Sequence, residues 1–320
     1  MNKKLFNILV GLTLILGLTA CSQGKPKNSR TDTYSSGEIT FYSDESFSPI
    51  IKEQLDVFHH MYLDAKVTPI YTNEIDAIDS LINEKTHLAI TTRKYRNDEL
   101  EYLRSRRYLP MIVPLAYDGL ALIVNNSNPD TLITINDLRK ILKGEATKWT
   151  DIYPSSKLGD FDVVFDNPKS STVQYCVDSI LGGVPINSPH ITAVNKSAEV
   201  IDYVSNTKNA IGVIGSNWLN DKRDTTNVTF KKNITVMSVS RMDKATRYNS
   251  WKPYQYYLYN GNYPMIRTIY ALLNDPINGL PWGFAQFIAS PRQGQLIIFK
   301  SGLLPVTGNM TVRNINVEDN

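Results

Sequence analysis

The 320-residue chain has only two cysteines, Cys21 and Cys176, and four histidines. His59, His60, His87 and His190 show no i, i+4 pairing with one another, and no metal and no cofactor is expected. Neither sign of charge is in excess, with 34 Lys+Arg against 31 Asp+Glu, and no basic stripe is present. That excludes nucleic acid as a partner. Catalytic signatures are missing too: there is no G-x-S-x-G elbow, no H-E-x-x-H and no phosphate-cradling Walker loop. The S-x-x-K match at Ser22 to Lys25 sits in a polar stretch that cannot preorganise a site. The chain therefore does not read as an enzyme.

What is present begins at the N-terminus. Lys3 and Lys4 precede an apolar stretch, Leu5 to Ala20, broken by Asn7, Thr13 and Thr19. Such a stretch spans a bilayer poorly and reads as a removable export signal over residues 1–20. Its ending, Leu18-Thr19-Ala20-Cys21, resembles the lipobox of bacterial lipoproteins. That resemblance implies lipidation of Cys21 and a membrane-anchored lipoprotein facing the periplasm, held by acyl chains worth roughly 0.8 kcal/mol per buried CH₂. Loss of Lys3 and Lys4 leaves 32 basic against 31 acidic residues, a nearly neutral domain. Cys176 then has no partner for an internal disulfide, and its apolar helical setting reads as a buried, inert thiol.

Residues 21–36 are polar, with little to bury, and are expected to form a flexible tether. Strands and helices then alternate. Glu38–Tyr42 reads as a strand, Ser48-Pro49 as the cap and first position of a helix carrying Ile51, Leu55, Phe58 and Tyr62, and Lys66–Tyr71 as a strand. Leu88–Ile90 has the composition of a short buried strand ending at Thr91-Thr92-Arg93. Met111–Ala116 and Leu120–Val124 read as two strands joined around Tyr117-Asp118-Gly119. Thr134 to Asp137 predicts a capping box, Phe161–Phe165 a strand, Ser197 a cap, Ala210–Gly215 a buried strand, 221–233 an exposed hairpin or loop and Ile266–Leu273 a strand. The alternation gives an α/β class with helices on both sheet faces.

Two hydroxyl-rich turns between strand and helix, Ser43 to Ser48 and Ser170 to Thr172, expose backbone N–H groups at helix N-termini. Partial positive charge there makes each a cradle for an anion. Thr91-Thr92-Arg93 and Asp118 project at the same carboxyl ends of strands. Serine and threonine also cap helices for structural reasons alone, so both readings of these turns stand.

The segment order over nearly the whole mature chain resembles the phosphate-binding proteins of ABC transporters, a branch of the type II periplasmic binding proteins. Tyr117–Asn125 resembles the family's crossover strand, Thr134–Trp149 its following helix and turn, and Ile211–Gly215 its "IGYVG" strand. Tyr263–Tyr270, Phe284–Pro291 and Gly302–Pro305 resemble its C-terminal pattern. Its "R..GSGT" turn falls on Asp166 to Thr172, with Asp166 in place of arginine and Ser171 in place of glycine. Its "GSST" turn falls on Asp44 to Phe47 and its "SSR" turn on Thr91 to Arg93. The resemblance implies a two-lobed type II periplasmic-binding-protein fold with a hinge between lobes and a central cleft. Lobe 1 is expected over 37–124 plus 240–320 and lobe 2 over 125–239.

On this resemblance the ligand residues are Ser46, Phe47, Thr91, Thr92, Arg93, Asp118, Asn167, Ser170, Ser171 and Thr172, with no catalytic residue. The expected function is capture of inorganic phosphate or a related oxyanion by a monomer and delivery to ABC permease subunits. A carboxylate that accepts the hydrogen of monohydrogen phosphate would reject sulfate; three acids, Asp44, Glu45 and Asp166, strain that scheme by repulsion. Alternatives are a sensor or assembly lipoprotein of the same fold without phosphate and, more weakly, a phosphate-ester hydrolase.

Overall fold

The computed structural model describes residues 30–220 and 230–307. Residues 1–29, and with them the expected export signal and Cys21, lie outside this range, as does most of the loop expected over 221–233. The chain divides into Met1–Asp32 and Thr33–Asn320; only Arg30 to Asp32 of the first piece are described, and the architecture below is that of the second.

Strand β1 (Gly37–Asp44) pairs in parallel with β2 (Ala65–Thr72) and β3 (Leu88–Thr91). Helices Ser48–Met61 and Glu74–Ile82 connect them, the first burying Ile51, Leu55 and Phe58 at the spacing the sequence predicts. β4 (Met111–Asn125) is the spine of the molecule, followed by β5 (Leu132–Thr134), β6 (Asp162–Phe165), β7 (Ile191–Ala193), β8 (Ala210–Gly215), β9 (Ile234–Val236), β10 (Ser238–Ser240), β11 (Ile266–Leu273) and β12 (Leu304–Pro305). The main sheet runs β2-β1-β3-β11-β4-β8-β6-β7, with β9 and β12 also on β4, and β10 pairs with β5 separately.

β4 is one strand of 15 residues, not two joined by a turn. Its first part pairs with β11 as far as Gly119, opposite Ile266, and its second part pairs with β8 from Leu120, opposite Gly215. Tyr117 and Asp118 therefore sit inside ladders, opposite Thr268 and Arg267. Gly119 serves packing rather than a turn, since a Cβ there would lie 2.6 Å from Pro253 Cβ. The irregularity falls three residues earlier than Tyr117, where Pro114, without an N–H, opens a register shift against β11.

Because β4 changes partners midway, it divides two packed halves. Phe41, Phe47, Phe58, Leu88, Ile269 and Phe284 belong to the core of one. Leu122, Trp149, Phe165, Cys176, Ile211 and Val213 belong to the other. Trp251, Tyr257, Leu258, Tyr263 and Met265, expected in lobe 1, pack with this second core. Among them Tyr263 Oη donates to the Leu120 carbonyl at 2.6 Å, on the far side of the point where β4 switches partners.

Order starts before residue 37: Thr33 N–H donates to the Ser36 carbonyl at 2.9 Å, and the Tyr34 ring meets Tyr62 edge-on. Residues 33–36, expected to belong to the tether, form a closed turn instead. A helix at Asn97–Ser105, not anticipated, buries only Leu103, too sparse an apolar pattern to declare itself. Thr134 does cap its helix, in a box with Asp137. Ser48 and Ser197 do not cap theirs; Ser197 instead gives its hydroxyl to Glu45 in the other half.

Candidate functional site

The two hydroxyl-rich turns meet. Ser46 Oγ and Ser171 Oγ are 3.1 Å apart although 125 residues separate them in sequence. β1 ends at Asp44, and the chain turns tightly through Glu45–Phe47 with Asp44 as its cap. Asp44 Oδ1 accepts the Ser46 N–H at 2.8 Å and the Ser46 hydroxyl at 2.6 Å. Its other oxygen accepts the Ser171 N–H, in the opposite half, at 2.9 Å. Three donors from two halves therefore converge on one carboxylate that is 1% exposed.

Ser171 opens the helix that follows β6 and is capped by Ser170. Its hydroxyl accepts Arg267 Nη1 at 2.9 Å. Since Ser46 gives its proton to Asp44, Ser171 gives its own to Ser46, and a chain of donors runs from guanidinium to carboxylate. Arg267 stands on β11 over the Phe47 ring, 5.0 Å from its centroid, and its Nε donates to Asp118 Oδ2 at 2.9 Å. Nη2 lies 2.9 Å from the same oxygen, outside hydrogen-bond geometry and buried without another partner among the described residues. Asp118 Oδ1 accepts the N–H and hydroxyl of Ser216 at 2.9 and 2.8 Å. Gly215 lets its backbone pass this pair, because a Cβ there would stand 2.9 Å from both Arg267 Nη2 and Asp118 Oδ2.

Asp166 closes the second turn upon itself. Its Oδ1 accepts Ser170 Oγ at 2.6 Å, Thr172 Oγ1, and the Asn167 N–H at 3.1 Å. Burial, then the charge of Asp44, raises the Asp166 carboxyl from its ordinary 3.8 to about 6, against the lowering pull of Ser170, Thr172 and Arg267. Glu45 spans the halves, accepting the Ser197 N–H at 2.9 Å and hydroxyl at 2.7 Å; burial raises it despite those bonds. Cys176, fully buried, has its thiol pushed up to about 12 by desolvation.

The other expected site residues divide by place. Thr92 and Arg93 turn their N–H groups to Glu74 Oε1, at 2.5 and 3.2 Å, and the Thr92 hydroxyl joins them at 2.7 Å. The Arg93 guanidinium is held by Glu99 at 2.7 and 2.8 Å, and Thr91 Oγ1 donates to the Arg93 carbonyl. That middle turn is thus a self-contained knot, whereas Ser46, Ser171 and Asp118 share one network through Arg267, and Ser170 and Thr172 gather on Asp166 beside it. Phe47 is core and a platform for Arg267. Asn167 accepts the Lys169 N–H and lines, with Asp44, Glu45, Tyr71, Asp166 and Lys196, a cavity of about 580 Å³ over the cradle. A second cavity, about 190 Å³, meets Arg267, Glu74, Thr92 and Tyr175.

Sequence reading missed Arg267 and Ser216 in the network of Asp118, Ser197 as the partner of Glu45, and Glu74 as the acceptor in the middle turn. Arg267 had a signal. Along β11 the buried register holds residues 267, 269, 271 and 273, so an arginine occupies an inward position among apolar residues and requires a buried acid.

Two packed halves crossed by shared strands, with polar turns meeting at the seam, define a two-lobed α/β binding-protein fold. A family model described as a PBP superfamily domain matches residues 28–292, and the chain belongs to that family. It is similar to phosphate-binding protein PstS of Pseudomonas aeruginosa, 21% identical over 298 residues covering 88% of this chain and 86% of that one. PstS of Borreliella burgdorferi is 25% identical over 269 residues, 81% of this chain and 86% of the relative. Among solved structures, an ABC-type phosphate transport receptor from Vibrio cholerae superposes with a TM-score of 0.63 at 21% identity, over 84% of this chain and all of that one.

Proposed function

We propose that the chain is an exported solute-binding protein that takes inorganic phosphate at the seam, anchors through Cys21, and passes its cargo to an ABC permease. One observation carries this reading: N–H and O–H donors of Ser46 and Ser171, backed by Arg267, surround a single oxyanion position formed by both halves. Relatives that bear the name phosphate-binding protein over most of their length support the choice of anion.

A second reading has its own support. Each donor set that would hold an anion already holds a carboxylate of the chain: Asp44 at Ser46 and Ser171, Asp166 at Ser170 and Thr172, Glu74 at Thr92 and Arg93. A sensor or assembly protein that keeps the fold without phosphate fits that pattern. Calorimetry separates the two. Phosphate should bind and sulfate should not, and Ser170→Ala with Thr172→Ala should weaken phosphate at least about tenfold, or about 1.4 kcal/mol; no heat with either anion selects the second reading. Cys21→Ala should release the chain from membranes.

A further inference from the structure

We propose that Asp44 is an internal oxyanion: without ligand its carboxylate occupies the position between the halves and holds them together, and an incoming oxyanion binds only by displacing it. This rests on the phosphate reading for its binding arm alone. Asp44 sits at the end of β1, yet only one of its oxygens serves its own turn. The other crosses to the Ser171 N–H, 127 residues away, at the N-terminus of the helix after β6. Nothing about capping the Glu45–Phe47 turn requires that reach.

Other contacts cross the same seam. Glu45 accepts from Ser197. The Ser46 carbonyl accepts Asn217 Nδ2 at 3.0 Å and Trp218 Nε1 at 2.9 Å. The halves are thus closed on each other by groups of the chain itself, with Asp44 at the centre and the donor chain Arg267–Ser171–Ser46 directed at it. A tetrahedral anion using the same donors cannot share them with a second negative charge in a buried site, so occupancy is a competition. Measured affinity is then the intrinsic affinity reduced by the fraction of molecules in which Asp44 has left. Asp44 thereby sets which anions enter, since a weak acceptor of hydrogen bonds does not displace a carboxylate held by three donors.

Two measurements on the full chain test this. In calorimetry, Asp44→Ala and the isosteric Asp44→Asn should each bind phosphate at least about tenfold more tightly than the parent, and Asp44→Ala should gain measurable sulfate binding. In small-angle scattering, the parent should keep the same radius of gyration with and without phosphate, whereas Asp44→Ala should be expanded without it and contract on addition. Weaker or unchanged phosphate binding in both variants would overturn the displacement and make Asp44 a group that contacts the ligand or none at all. If neither parent nor variants bind phosphate or sulfate, the transport reading fails by itself. Scattering then decides the latch: an expanded Asp44→Ala sustains it, and an unchanged one removes it.

Discussion

The two polar turns begin alike and end differently. Each has a buried aspartate where a parallel strand finishes, Asp44 at the end of β1 and Asp166 just after β6, followed by hydroxyls and a helix. Asp166 bonds almost wholly within its own turn, its one contact elsewhere being the Ser197 hydroxyl at 3.3 Å. Asp44 divides its oxygens between its own turn and the opposite half. A helix N-terminus is satisfied by any anion that reaches it, whether from the same turn, from a distant strand or from solution. In this molecule the same residue type closes its own turn in one place and bridges to the opposite half in the other.

Removing the cation that serves both turns is the strongest way to break this comparison. Arg267→Leu leaves Asp118 buried at 0% exposure with only Ser216 for company and withdraws the donor from Ser171. Loss of one member of a buried pair costs about 3–5 kcal/mol, read as a fall in urea midpoint at unchanged slope. A loss below about 1 kcal/mol would mean that the surrounding donors already satisfy the acids.

Next in size is a test on Asp166 alone. Its carboxyl is raised from 3.8 to about 6, so the folded chain retains a proton that the unfolded chain releases. The stabilisation from that proton is complete below the unfolded value and lost as pH rises through about 6. Between pH 7 and pH 5 the parent should gain about 1 kcal/mol relative to Asp166→Asn. Parallel profiles for the two proteins would show that Asp166 stays ionised and that its turn is a cap without a titration.

Much of the scaffold was legible. β-branched runs marked β1, β3 and β8, and Thr134 with Asp137 marked a helix start, because these signals are local. The uninterrupted course of β4 was not, since Asp118-Gly119 carries turn chemistry that two flanking ladders override. The hydroxyl turns were recognised, and Ser46 and Ser171 do meet. The roles of their acids were hidden, because whether a carboxylate caps its own turn or another depends on contacts more than a hundred residues apart. Arg267 stood in an inward register that the alternation of β11 displays, but its partner Asp118 lies opposite only once β4 and β11 are paired. Ser197 misled for the same reason: a hydroxyl at a helix start reads as a cap until an acid from elsewhere takes it.

The smallest effect bears directly on reach against locality. Glu45 and Ser197 join the halves, whereas Asp166 and Ser170 sit four residues apart in one turn. In a double-mutant cycle with Glu45→Ala and Ser197→Ala, the Ser197 N–H still reaches Glu45 when only the hydroxyl is lost, so the cycle reports part of the contact. A coupling of about 1 kcal/mol is expected from a hydrogen bond to a partly buried carboxylate. The same cycle on Asp166 and Ser170 should give a coupling that changes less with phosphate than the first, because both partners lie in one turn. The Glu45 and Ser197 coupling should instead change when the seam is occupied by ligand. If it is zero in both states, closure of the halves rests on Asp44 and Arg267 without help from Glu45, and if both couplings respond to phosphate equally, the second turn is no more local than the first.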